Sequence, residues 1–113
     1  KSPESMASSS MTQSRTGRRI VISVRGKGNC SYFLDTSISI GRSKNNAIVL
    51  EEDSQASANH AEIRERNGVI LIVDKGATNG TFLNGTRIVG PEPLSDGDVI
   101  VAGRTELRIH FAD

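Results

Sequence analysis

Two dipeptides, Asn67-Gly68 and Asn84-Gly85, each sit between short stretches rich in β-branched and aliphatic residues, and Asp96-Gly97 leads into a third such stretch. Asn-Gly readily adopts the positive φ angles that a tight reversal between antiparallel strands demands, so each of the first two breaks a helix and joins a hairpin. The flanking residues agree. Residues 19–25 are largely β-branched and run into the turn Gly26-Lys27-Gly28-Asn29, with residues 31–34 as the return strand. Residues 37–40 alternate polar and apolar, which turns Ile38 and Ile40 inward. Residues 47–50, 60–66, 69–73, 81–83, 86–88, 98–101 and 105–111 complete the series, and nowhere do apolar residues recur at helical spacing. About ten short strands punctuated in this way predict an all-β fold, a β-sandwich or barrel of mostly antiparallel strands.

With 113 residues the chain has room for one such domain and not two. Trp is absent and aromatic residues are few, so Val, Ile and Leu must fill the core. Residues 1–17, dominated by serine, are expected to form a disordered tail, and the folded domain is expected over 18–113. Lys plus Arg number 14 against 13 Asp plus Glu, a balance unlike that of a general polyanion binder. Nor does an aromatic stacking platform accompany Arg15, Arg18, Arg19, Arg25 and Lys27, so nucleic acid is not expected as a partner. Cys30, the single cysteine, rules out an internal disulfide and a multi-cysteine zinc site; it is expected to be a buried or half-buried thiol in a reducing compartment. The longest apolar runs are about six residues against the roughly 20 that span a bilayer. No signal-peptide pattern is read at the start, and an intracellular protein is expected, cytoplasmic or, in a eukaryote, nuclear.

Function concentrates in the connections. Gly41-Arg42 follows a strand, the polar segment 51–59 ends in Ser57-Ala58-Asn59-His60, and residues 75–80 lead into Thr81. Long polar loops inside a compact domain usually carry a task. Each of these supplies a small polar or cationic group, and together they read as one anion-binding surface. Arg42 offers a planar fork of donors that keeps its proton at any physiological pH, while serine and threonine hydroxyls add further donors.

Gly41-Arg42, then Ser57-x-x-His60, then Thr78-Asn79-Gly80-Thr81 and Asn84-Gly85, in this order and spacing, resemble the forkhead-associated (FHA) domain. The similarity runs from about Arg18 to Phe111 and takes in Ile48-Val49-Leu50 and Leu94-x-Asp96-Gly97-Asp98-x-Ile100. The resemblance implies a β-sandwich whose loops at one end recognise phosphothreonine peptides, with no catalysis and no cofactor. It implies that Arg42, Ser57 and Thr78 contact the phosphate and that Asn79 bonds the peptide backbone. Gly41, His60 and Gly80 are implied as structural support, the histidine ordering the Ser57 loop. Position 58 often carries a long or polar residue in this family, and here it is Ala58. Lys44 and Asn59, able to reach across the loop mouth in its place, and Lys75, a spare cation beside the Thr78 loop, are the candidates for accessory ligand contacts. A small pocket for the threonine methyl would favour phosphothreonine over phosphoserine. The implied partner is a protein phosphorylated by a Ser/Thr kinase, bound by a domain that is monomeric in isolation and takes part in signalling or regulation.

Two other classes of function compete with this reading. Ser57, His60 and Asp74 are the residue types of a hydrolase triad, but the serine lacks a Gly-x-Ser-x-Gly setting, and no Walker motif or metal-ligand spacing occurs. A β-sandwich that binds its partner without phosphate, through a sheet face or edge, is the alternative to the phosphopeptide reading. Glu51-Glu52-Asp53 is expected to be a solvated loop face.

Overall fold

In a computed structural model, residues 18–34 and 37–112 are described. The expected tail, 1–17, lies outside them. Eleven strands run in chain order: β1 (Arg18–Val24), β2 (Gly28–Leu34), β3 (Ser37–Gly41), β4 (Ile48–Val49), β5 (Ala61–Arg66), β6 (Val69–Asp74), β7 (Thr81–Leu83), β8 (Thr86–Arg87), β9 (Glu92–Pro93), β10 (Val99–Ala102) and β11 (Thr105–Phe111). They form a six-stranded sheet in the order β8-β7-β10-β11-β1-β2 and a five-stranded sheet in the order β9-β6-β5-β3-β4. All neighbours are antiparallel except β3 and β4. No helix among the described residues is long and apolar enough to cross a membrane.

Alternation places the core. Ile20, Ile22 and Val24 of β1 face inward beside Leu107 and Ile109 of β11, with Ile22 directly opposite Ile109. Ile38, Ile40, Ile63, Ile70 and Ile72 supply the other sheet's inner face. A slip of one residue in any of these pairings would turn an isoleucine to water at a cost of about 1.5–3 kcal/mol per side chain, which is what fixes the register. The hairpin dipeptides behave as their chemistry requires: Asn67 and Gly68 take φ of 53° and 83°, Asn84 and Gly85 of 50° and 89°.

Three local expectations change. The first return strand begins at Gly28, so the turn is tighter than Gly26–Asn29 implied; Lys27 N donates to Val24 O at 2.9 Å. Glu92–Pro93, absent from the strands expected above, is a short strand at the sheet edge against Leu71 and Ile72, where a proline's missing N–H costs nothing. Cys30 is exposed rather than buried, because β2 is the outermost strand of its sheet.

Candidate functional site at one rim of the sandwich

Strand direction gathers the loops. β5 is antiparallel to both β3 and β6, pairing Ala61 with Ile40 and with Asp74, so the end of β3, the start of β5 and the end of β6 share one rim. The segment after Asp74 then crosses to the other sheet, where Thr81 pairs with Ala102. Loops 42–47, 50–60 and 75–80 therefore meet at one end, although 36 residues of sequence separate Arg42 from Thr78.

Hydrogen bonds join the three loops directly. Arg42 N donates to Ser57 O at 2.9 Å and Ser43 N to Ala58 O at 3.2 Å. Thr78 N donates to Ser57 Oγ at 3.1 Å. Ser57 Oγ thus accepts from the backbone and keeps its own hydrogen to donate outward. Arg42 and Thr78 are exposed and Ser57 half-exposed. Among the described residues the Arg42 guanidinium and the Lys44 ammonium have no ion-pair or hydrogen-bond partner. The backbone N–H groups of Arg42, Ser43, Ser57 and Thr78 are all used within the loops. The side-chain donors left at this rim are one guanidinium, two hydroxyls and the lysine.

His60 is wholly buried beneath this surface. Its Nδ1 accepts from Ser57 N at 3.0 Å, which leaves the proton on Nε2 to be donated to Gly80 O at 2.8 Å. One ring therefore ties the Ser57 loop to the Thr78 loop. Gly41 allows the loops to close. A Cβ there would run into Ala58 O and lie 2.8 Å from Asn46 Nδ2. Gly80, at φ +79°, has the Arg87 guanidino group packed against it, with Nε 2.5 Å from where a Cβ would stand. Ser57, His60 and Asp74 do not form a relay. Both ring nitrogens are spent on backbone, while the Asp74 carboxylate accepts from Thr81 Oγ1 at 2.6 Å and Gly76 N at 3.1 Å.

The accessory residues separate. Lys44 and Asn59 stand exposed at the loop mouth. Lys75 bends toward the sheet, its Nζ 2.9 Å from Glu62 Oε1, which Arg64 Nη2 also meets at 3.0 Å. The hydrogen bond from Lys75 outweighs burial and, with Arg64, holds the Glu62 carboxyl below its ordinary value. Ser39, Asn46, Asn59, Ala61, Glu62 and Lys75 line a recess of about 300 Å³. Asn79, expected to face the ligand, donates through Nδ2 to Gln55 O at 2.9 Å and to Gln55 Oε1 at 3.2 Å.

Sequence reasoning missed three supports. Asn46 is buried and donates to Ser43 O and Ala58 O, both at 2.8 Å, locking loop 42–47 to the Ser57 loop. Gln55 carried no local signal. Asp53, expected to be solvated, is instead an anchor: Oδ2 accepts from Arg104 N at 2.8 Å and Thr105 Oγ1 at 2.6 Å, and Oδ1 from Gln55 N at 3.0 Å. Burial pushes its carboxyl up, but the bonds from Thr105, Arg104 and Gln55 prevail and hold it below the ordinary value. Among the described residues no three His, Cys, Asp or Glu side chains are grouped to hold a metal ion.

Comparison with known proteins identifies the family of the fold. The family model of the FHA domain matches residues 38–103. An ABC transporter ATP-binding/permease protein of Mycobacterium tuberculosis is 42% identical over 77 residues, 68% of this chain and 8% of its own length. The glycogen accumulation regulator GarA of the same organism is 36% identical over 93 residues, 80% of this chain and 56% of its own. The chain thus spans little more than half of GarA and a small part of the transporter. An oxoglutarate dehydrogenase inhibitor of Corynebacterium diphtheriae is 32% identical, with 89% of this chain and 71% of the relative covered. Among solved structures, one from a study of phosphothreonine-dependent FHA domain interactions superposes with TM-score 0.73 at 31% identity, covering 84% of this chain and 98% of that one. The FHA domain of FhaA, complexed with the intracellular domain of another protein, gives TM-score 0.70 at 33% identity, covering 80% and 99%.

Proposed function

The chain belongs to the FHA domain family, and on that premise we propose that it binds phosphothreonine peptides through Arg42, Ser57 and Thr78 and performs no chemistry on them. A phosphothreonine monoester carries about −1.5 to −2 charges and three acceptor oxygens. In this reading Arg42 supplies the permanent positive charge and a forked pair of N–H donors, while Ser57 and Thr78 each give one O–H. Lys44 adds a nearby cation. Asn79 holds the peptide backbone, and His60, Gly41 and Gly80 keep the loops in place. The observation that supports the reading is the hydrogen-bonded chain from Arg42 N to Ser57 O and from Thr78 N to Ser57 Oγ, which links the backbones of the three residues at one rim.

The bonds of His60 support a noncatalytic reading, since both ring nitrogens are spent on backbone and neither is left as a base for Ser57. The partner is a protein phosphorylated on threonine by a Ser/Thr kinase, which places the domain inside the cell in a signalling or regulatory protein. A few charge-assisted contacts to one extended segment imply micromolar affinity, about −8 kcal/mol. Titrating a degenerate phosphothreonine peptide library, its unphosphorylated twin and the Arg42→Ala protein tests this. Binding is expected for the phosphorylated library with unmutated protein alone; equal binding of the twin would instead favour a phosphate-independent interaction module.

A further inference from the structure

An open sheet ends in strands whose outer N–H and C=O groups lack a strand partner, and folded proteins shorten, charge or twist such strands to keep other chains off them. Three of the four sheet edges here follow that rule. β4, β8 and β9 are two residues long, and β8 carries Arg87 while β9 is Glu92-Pro93. The fourth edge, β2, does not. It runs for seven residues, Gly-Asn-Cys-Ser-Tyr-Phe-Leu, without a charge or a proline, and its only strand neighbour among the described residues is β1. Asn29, Cys30 and Ser31 are exposed, and Phe33, large and apolar, is 51% exposed.

The chemistry of the edge narrows what can cover it. A neutral strand offers main-chain bonds to an extended partner but holds no charge with which to select a foreign one. Residues 1–17 contain no Val, Ile, Leu or aromatic residue and so lack the composition of a covering strand. A second copy of β2 fits. Antiparallel pairing about Ser31 matches all seven residues of one strand with all seven of the other, setting Cys30 opposite Tyr32 and Asn29 opposite Phe33. In the sequence this neutral segment is bounded by Lys27 and Asp35, each four residues from Ser31, so the same register brings unlike charges together at both ends.

We propose that the edge of β2 is a self-association surface, on which a second copy of this chain adds its own β2 antiparallel and joins the two six-stranded sheets into one. The resemblance implied a monomer in isolation; this edge makes a weak dimer, since a single strand pair falls below the roughly 1,200 Å² of standard interfaces. Pairing also sets where the binding rims point. Turn 25–27 lines a recess of about 360 Å³ together with Asp53 and Ser54 of loop 50–60 and Arg104, so β2 starts at the rim and leads away from it. Antiparallel partners therefore carry their rims at opposite ends of the joined sheet. On the phosphopeptide reading above, one dimer holds two phosphothreonine segments facing apart.

Sedimentation of the whole chain without ligand tests the surface. A monomer–dimer equilibrium with a midpoint on the order of 100 μM is expected. Ser31 is exposed opposite Val21, so a lysine fits there without disturbing the pairing with β1. Ser31→Lys sets two ammonium groups face to face across the axis and should abolish the dimer, leaving the melting temperature and the affinity for a singly phosphorylated peptide unchanged. Because Cys30 is the only cysteine, a bismaleimide can join only two copies, and the diagonal separation of about 7–8 Å suits a short spacer. That crosslink should form in the unmutated chain and vanish in Ser31→Lys. An unmutated chain that stays monomeric to about 1 mM, tenfold above the expected midpoint, would overturn self-pairing and leave the edge to a foreign strand. A dimer that survives Ser31→Lys would put the interface elsewhere, and one that Cys30 fails to crosslink would overturn the register. A dimer without phosphopeptide binding would sink the reading of the rim and leave this edge standing.

Discussion

Replacing His60 by alanine should separate this domain's stability from its surface chemistry more sharply than any other change. The ring is fully buried, and its two nitrogens bridge Ser57 N at 3.0 Å and Gly80 O at 2.8 Å. Alanine leaves that donor and that acceptor without partners, at about 1–3 kcal/mol each, and opens a cavity the size of the missing ring. The two groups alone come to about 2–6 kcal/mol, so a loss of about 4 kcal/mol is expected, a large share of the 5–15 kcal/mol typical of a whole domain. For a domain of this size each kcal/mol lowers the melting temperature by about 4–8 °C, so a fall of roughly 15–30 °C is expected by calorimetry. Urea unfolding in the cold, where the variant is still folded, gives the same free energy directly. Phosphopeptide affinity measured in that cold, folded state should drop about tenfold, since the Ser57 and Thr78 loops are no longer tied and must be ordered by the ligand. Ser57→Ala is the contrast. It removes a half-exposed hydroxyl, lowers stability by only about 1 kcal/mol, and still weakens the phosphopeptide. A loss below about 1 kcal/mol in His60→Ala would refute the claim that this ring holds the rim together. Full destabilisation with unchanged affinity in the folded protein would refute its link to binding.

Gly41→Ala should destabilise by about 2 kcal/mol or more, because its Cβ meets the Ala58 carbonyl and the Asn46 amide that close the site; denaturant midpoints would read it. Asp53→Ala removes three hydrogen bonds to the Thr105 turn and Gln55 and should cost about 2 kcal/mol, again by denaturation. Asp53 and Glu62 both have folded-state pKa values below their ordinary ones, so the stability they contribute is present above those ordinary values and is lost as pH falls through the lowered ones; Asp53→Asn should flatten that acid limb. Tyr32, the only tyrosine, is pushed from 10.0 to about 12 by burial and then by the charge and hydrogen bond of Cys30. Its contribution to stability is complete below pH 10.0 and lost as pH rises through about 12, and Cys30→Ser should lower the midpoint of the tyrosinate absorbance titration.

The strands were legible because their cause is local. Period-two alternation at Ile20, Ile22 and Val24, or at Ile38 and Ile40, and positive φ at Asn67-Gly68 and Asn84-Gly85, depend on neighbours within a few residues. The motif spacing named the family for the same reason, since it is written in the order of the chain. The short strand at Pro93 escaped because only its place at a sheet edge makes a proline acceptable there. Cys30 became exposed only when β2 proved to be an outermost strand. Beyond His60, what ties the loops together was likewise invisible in the sequence. Asn46 reaches Ala58 across 12 residues, Gln55 meets Asn79 across 24, and Asp53 holds Thr105 across 52. Those bonds exist because antiparallel pairing of β5 with β3 and β6 brings separate loops to one rim, and a side chain can bond only to what the backbone has first brought within about 3 Å.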